Sequence, residues 1–185
     1  MTGVQTCALP IYWTCYCFEA NPITYKMSRA NYISLLNSGF DIKHFNFAVS
    51  GESKIVDIHC AMAYHYDESE IGSYTSQASN ILESPPKFEN LTYDESSHKV
   101  KAIDFSKFIK DFTSPEDFLL IKMDIEGSEF EVLDKMIYDQ TFKYVNEIYV
   151  EFHLGFFEDK DLYKKRIDFY KKLFENNGVI LKEWF

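Results

Sequence analysis

Asp124, Glu126, Glu151, His153 and Glu19 are the residues whose types and places in the sequence could do chemistry. Asp124 and Glu126, with Lys122, alternate with Ile121, Met123 and Ile125 just after the apolar run Phe118-Leu119-Leu120-Ile121. Glu151 and His153 close the run EIYVEFH, and Glu19 closes YWTCYCFE. A charge at the end of an otherwise buried strand is costly unless it meets water, a ligand or a partner. In open α/β sheets the C-terminal ends of the strands are also where ligands bind. An imidazole or carboxylate there can take a proton from an alcohol. Paired carboxylates can instead hold a divalent cation that lowers the pKa of a bound hydroxyl. A single carboxylate such as that of Glu19 can accept hydrogen bonds from both hydroxyls of a ribose. Each residue also has a plainer reading. Asp124 and Glu126 would cap the helix that follows them, Glu19 would cap the helix after Pro22, and a lone strand-end histidine is more often structural.

The elements that must position these groups are legible from periodicity. FLLIKMDIEGSEFEVL, Phe118 to Leu133, reads as strand, tight turn and helix, with Phe130, Leu133, Met136 and Ile137 on one helical face. Ser128, Glu129 and Glu131 suit a helix N-terminus. In Glu147 to His153, Ile148, Val150 and Phe152 face one way and Tyr149, Glu151 and His153 the other. Parallel pairing of this strand with the first would bring Glu151 and His153 beside Asp124 and Glu126. Upstream, Asn21-Pro22 starts a helix over 23–38, with Tyr25, Ala30, Ile33, Leu35 and Leu36 as its stripe and Gly39 after its end. One strand is predicted over His44 to Val49, and an antiparallel one over Lys54 to Cys60. VKAID precedes a helix with Phe105, Phe108, Ile109 and Phe112 on one side. Asp159 to Asn176 is amphipathic, its lysines solvated, and a last strand begins at Val179. Alternating strands and helices imply a mostly parallel sheet with helices on both faces.

KMDIEGSEFEVL followed by YVEFH resembles the FkbM-type S-adenosylmethionine-dependent methyltransferases. FEANP, Phe18 to Pro22, is similar to that family's earlier strand-end motif, and NFAVSGES, Asn46 to Ser53, to the segment after its third strand. The resemblance is ordered and covers roughly Phe18 to His153. It implies a Rossmann-like methyltransferase sheet with S-adenosyl-L-methionine as cofactor. It places Glu19 on the cofactor ribose and Ala20 and Asn21 near the adenosine. The family carries a first strand and a glycine-rich loop before FEANP, and nothing of the form D-x-G-x-x-x-G precedes Phe18 here. TGVQTCALPI, Thr2 to Ile11, looks like a translated sequencing-library adapter. Residues 1–11 are therefore expected to be an artefact and 12–185 a partial methyltransferase domain, lacking the first strand and the loop and inactive as given.

Composition narrows the partners. The net charge is −10, a poor match to nucleic acid or to an anionic membrane. No apolar run approaches the ~18 residues of a spanning helix. With Cys7 set aside, Cys15, Cys17 and Cys60 are too few for a disulfide framework and fit a reducing, cytoplasmic setting. Cys15 and Cys17 read as buried thiols rather than a metal pair. Residues 61–97, rich in Ser, Tyr, Glu and Asn, read as an irregular insert or lid, and in the resembling family such an insert lies over the active site. GSYTSQASN, Gly72 to Asn80, is similar to its serine-rich piece. His59, His65, Asp67 and Glu68 have ligand chemistry without a metal spacing.

The expected reaction is transfer of the methyl group of S-adenosylmethionine to a hydroxyl of a small molecule or glycan. His153 and Asp124 are both candidates for the base, and a cation held by Asp124 and Glu126 is the weaker alternative. The rival classes are a nicotinamide-dependent oxidoreductase, whose G-x-G-x-x-G signature KMDIEGSE is not, and a non-catalytic Rossmann-like binding domain.

Overall fold

The computed structural model describes residues 13–63, 73–74, 79–83, 87, 91–93 and 98–184. The expected adapter-like stretch 1–11 and the ligand-type residues His65, Asp67 and Glu68 lie outside them, as does most of the 61–97 insert.

Strand β1 (Thr14–Phe18) leads into helix α1 (Pro22–Asn37) and returns as β2 (Asp41–Phe45), parallel to β1 with Cys17 opposite His44. Strand β3 (Phe47–Ser50) pairs parallel with β8 (His98–Asp104), and β4 (Lys54–Ile58) pairs antiparallel with β8 on its other side. The short strands β5 (Ala61–Ala63), β6 (Ser73–Tyr74) and β7 (Leu91–Tyr93) form an antiparallel trio with β5 in the middle. After α2 (Phe105–Phe112) come β9 (Leu120–Met123), α3 (Glu129–Tyr138), β10 (Glu147–Val150), α4 (Lys160–Asn176) and β11 (Ile180–Glu183). Strands β9, β10 and β11 form a wholly parallel sheet with β10 central, and Val150 lies opposite Met123. The mixed α/β architecture with parallel β-α-β units is compatible with the expected Rossmann-like methyltransferase fold.

The main core fills the space between the β9–β10–β11 sheet and helices α2, α3 and α4. Phe130, Leu133 and Met136 of α3 meet Ile148 and Val150 of β10 and Tyr170 and Phe174 of α4. These are largely the residues that the helical and strand periods select. Val132 is equally buried, so α3 presents a wider apolar face than its stripe predicts. A smaller core of Ala48, Ile58, Cys60, Val100 and Ala102 lies on the β3–β8–β4 sheet.

Two expectations give way. The strand predicted over His44 to Val49 is two strands, β2 and β3, in different sheets, divided at Asn46. The Asn46 side chain explains the break: its Nδ2 donates to the carbonyls of Glu19 at 2.8 Å and Ala20 at 3.0 Å, tying the turn to the end of β1. Helix α1 does not bury its aliphatic stripe either. It has no buried residue, and Ile33 and Leu36 are about half exposed. The half-buried positions Tyr25, Ser28, Tyr32 and Leu35 are spaced i, i+3, i+7, i+10, so the inward face is mostly aromatic and hydroxylic.

Candidate active site

Strand β9 ends at Met123, and the chain turns through Asp124, Ile125, Glu126 and Gly127 into α3. Glu126 and Gly127 both have positive φ, 53° and 102°. A left-handed non-glycine residue costs of order 1–3 kcal/mol and tends to mark a functional site. Gly127 has no alternative: a Cβ there would meet Phe156 at 2.8 Å and Leu82 at 2.9 Å. The turn swings the Glu126 carboxylate to 3.1 Å from Nε2 of His153.

His153 arrives from the neighbouring strand. Strand β10 stops at Val150, and residues 151–153 run on beyond the sheet edge, so the alternation of EIYVEFH outlasts the strand itself. Parallel pairing of β9 with β10 brings the two strand ends together as the charge pattern predicted. Nε2 of His153 also lies 3.8 Å from Asp124 and 3.9 Å from Glu151. The ring is 13 % exposed, whereas Asp124 is 43 % exposed and sits at the lip.

The sequence pattern gave no catalytic part to Glu129. It is the first residue of α3 and is fully buried. Its carboxylate accepts the Gly127 N–H at 3.1 Å, the Ile125 N–H at 3.2 Å and a hydrogen bond at 2.8 Å from Nδ1 of His153. Glu129 therefore gathers the turn that Asp124 and Glu126 had been candidates to cap, while Ser128 makes no side-chain cap. It also orients the imidazole, leaving Nε2 toward the three other carboxylates. Acidic residues are ordinary in a helix's first turn, so the only signal for Glu129 was its membership of KMDIEGSE. Burial alone would depress the His153 pKa, but the hydrogen bond and charge of Glu129, with Glu126 and Asp124, outweigh it and raise the value to about 9.

These carboxylates face a cleft of about 430 Å³ lined by residues that include Glu19, Ala20, Asp124, Glu126 and Glu151. That volume falls within the ~300–1,000 Å³ of small-molecule sites. Glu19 leaves the end of β1, its Oε1 accepting the Asn21 N–H at 2.7 Å. Burial raises its pKa to about 7, against that hydrogen bond and with help from the charge of Asp124. Asn21 has a different place from Ala20. It is buried, and Oδ1 caps α1 by accepting from the N–H of Ile23 and Thr24, while Nδ2 donates to Ser79. Asn21, not Glu19, is thus the cap of α1. On the far wall Tyr32 stacks on His44, ring centres 3.5 Å apart, and both line the cleft. Burial and the nearby Arg29 lower the His44 pKa to about 4, so this ring is a neutral, flat surface.

Five predicted residues are thereby assigned places: Glu19, Ala20, Asp124 and Glu126 on one cleft, and His153 directly beneath its acidic end. Asn21 supports it from behind. Ser79, Asn80 and Ile81 are the described part of the 61–97 insert that reaches the same cleft.

No curated protein and no solved structure matches the sequence. A family model, described as the methyltransferase FkbM domain, matches residues 4–178. That span is most of the chain and contains every strand-end residue of the cleft, so the chain belongs to the FkbM methyltransferase family.

Proposed function

We propose that the cleft is an S-adenosylmethionine site built for transfer of the methyl group to a hydroxyl oxygen of a small molecule or glycan. The observation that carries this reading is the convergence of Glu19 from β1 with Asp124, Glu126 and His153 from β9 and β10 on one cleft. The residues present suit such a cofactor. Glu19 offers a carboxylate to two ribose hydroxyls, and Tyr32, His44 and Phe47 offer flat walls to a purine. Four carboxylates, Asp124, Glu126, Glu129 and Glu151, surround one imidazole, and Glu19 lines the same cleft, a field that favours a cation. When bound, the cofactor supplies a methyl group on a positively charged sulfur.

In this reading His153 accepts the proton of the acceptor hydroxyl at Nε2. Glu129 holds Nδ1, which keeps Nε2 turned toward the cleft. Asp124, exposed at the lip, accepts a hydrogen bond from the acceptor and aligns it. Alignment of this kind is the protein's main contribution to an in-line transfer. The acidic field also disfavours anionic acceptors, which supports a neutral one. Equilibrium binding of S-adenosylhomocysteine tests the assignment. The full chain should bind it and Glu19→Gln should bind it at least several-fold more weakly; equal affinity would remove Glu19 from the site.

One observation favours a second reading. The ligand atoms of Asp124, Glu126 and His153 all lie within 4.8 Å of one another, which suits a divalent cation that would lower the pKa of the acceptor hydroxyl. Turnover that survives exhaustive chelation and gains nothing from added magnesium or manganese would dismiss it.

A further inference from the structure

We propose that Cys15 and Cys17 are an oxidisable dithiol, converted by a small hydroperoxide into a reversible disulfide within β1. The two residues lie two apart on one strand, so their side chains share a face. Their sulfurs are 3.4 Å apart and hydrogen-bonded. Tyr16 between them turns the other way, onto Phe108 and Phe112. Both thiols are half-buried, within reach of a small reagent, whereas Cys60 is fully buried in the smaller core.

The environment separates the two thiols into nucleophile and partner. The hydrogen bond from Cys15, opposed by burial and joined by one from Tyr32, lowers the Cys17 pKa to about 6. Cys17 is then mostly thiolate at neutral pH, and the thiolate is the reactive form. It attacks the near oxygen of the hydroperoxide and breaks the O–O bond. The far oxygen leaves as alcohol or water after taking up a proton, and Cys17 becomes a sulfenic acid. The Cys15 sulfur then attacks the Cys17 sulfur, its proton leaves with the hydroxyl as water, and the disulfide closes. Two thiols are oxidised and one hydroperoxide is reduced.

Geometry permits the bridge and makes it labile. Two residues of strand span ~6.6 Å, near the upper end of the ~4.4–6.8 Å between Cα atoms that a disulfide tolerates. The sulfurs must also draw in from 3.4 Å to a bond length of ~2.05 Å. Strand β1 must therefore pucker against its pairing with Ile42 and His44. A strained bridge is readily reduced, as a reversible site requires. Closure also removes the thiolate that Tyr32 bonds, and Tyr32 is a wall of the cleft.

The test uses the full chain carrying Cys7→Ser, treated with hydrogen peroxide at neutral pH and mapped by peptide mass. The expected product is a peptide that has lost two hydrogens at Cys15 and Cys17 and regains them with dithiothreitol, with Cys60 unchanged. Cys15→Ser should leave a Cys17 sulfenic acid that dimedone captures. Cys17→Ser should slow oxidation of the remaining thiol about ten-fold or more. Direct conversion of Cys17 to sulfinic acid without a bridge would overturn the proposal, as would a pair that stays reduced. Mapping decides this without reference to the methyltransferase reading. Where the reduced chain binds S-adenosylhomocysteine, oxidation should weaken binding several-fold, and an unchanged affinity would sever the dithiol from the cleft.

Discussion

His153 carries the clearest expectations. His153→Gln should lower kcat by about 10²–10⁴-fold, the range for loss of a general base, while S-adenosylhomocysteine affinity stays within a few-fold. A loss of affinity as large as the loss of turnover would make the residue structural. The pKa of about 9 sets the pH dependence. The imidazole must be neutral to accept a proton, so kcat/KM should climb with pH through an inflection near 9 and level off above it. Glu129→Gln removes the main charge that raises that value, so the rise should move to lower pH. A profile that keeps its inflection in Glu129→Gln would show that the Glu129 contact does not set it. The strand-end charges were legible because a charge placed in a buried run is too costly to persist without a use. Glu129 was not, because a buried carboxylate and a solvated helix-start carboxylate look the same in a sequence. The part Asn21 plays in the fold was not legible for a related reason: a side chain that caps a helix looks the same in a sequence as one that faces a cleft.

At the scale of the element, the turn from β9 to α3 is where backbone and site meet. Gly127→Ala meets both a left-handed φ and two side chains closer than 3 Å. It should cost about 2 kcal/mol or more and lower the melting temperature by several degrees. Gly39, at φ +89° with open space around it, isolates the backbone part. Gly39→Ala should cost only about 1 kcal/mol. Equal losses at both positions would mean that the contacts with Phe156 and Leu82 are soft. The pairing of β9 with β10 could be read from alternation, since a period of two survives wherever one face is buried. Helix α1 could not be read this way. A search for aliphatic stripes passes over Ser28 and Tyr32, which face inward because they line a cleft and not a core. The division at Asn46 was hidden too, because a side chain bonded to carbonyls 26 and 27 residues away leaves no local mark.

For the whole molecule, charge and protonation predict how stability responds to solution conditions. His153 and Glu19 both have folded pKa values above their ordinary ones, about 9 against 6.5 and about 7 against 4.5. Their contributions are complete below the ordinary values and are lost as pH rises through the folded ones. The melting temperature should therefore fall between about pH 4.5 and 9, the Glu19 part between about 4.5 and 7 and the His153 part between about 6.5 and 9. His153→Gln should flatten the upper part of that fall, and an unflattened curve would assign it to other groups. The net charge of −10 also means that salt near the physiological range should stabilise the fold by screening repulsion. Among the described residues no helix is long and apolar enough to cross a membrane. Helix α1 walls the cleft yet holds no buried residue. Amide hydrogens there should exchange with solvent through local opening, well before those of α3, whose inner face belongs to the main core. A ligand seated against Tyr32 must hold that helix shut. Part of its binding free energy is then spent on ordering, and protection of the α1 amides becomes a direct gauge of occupancy.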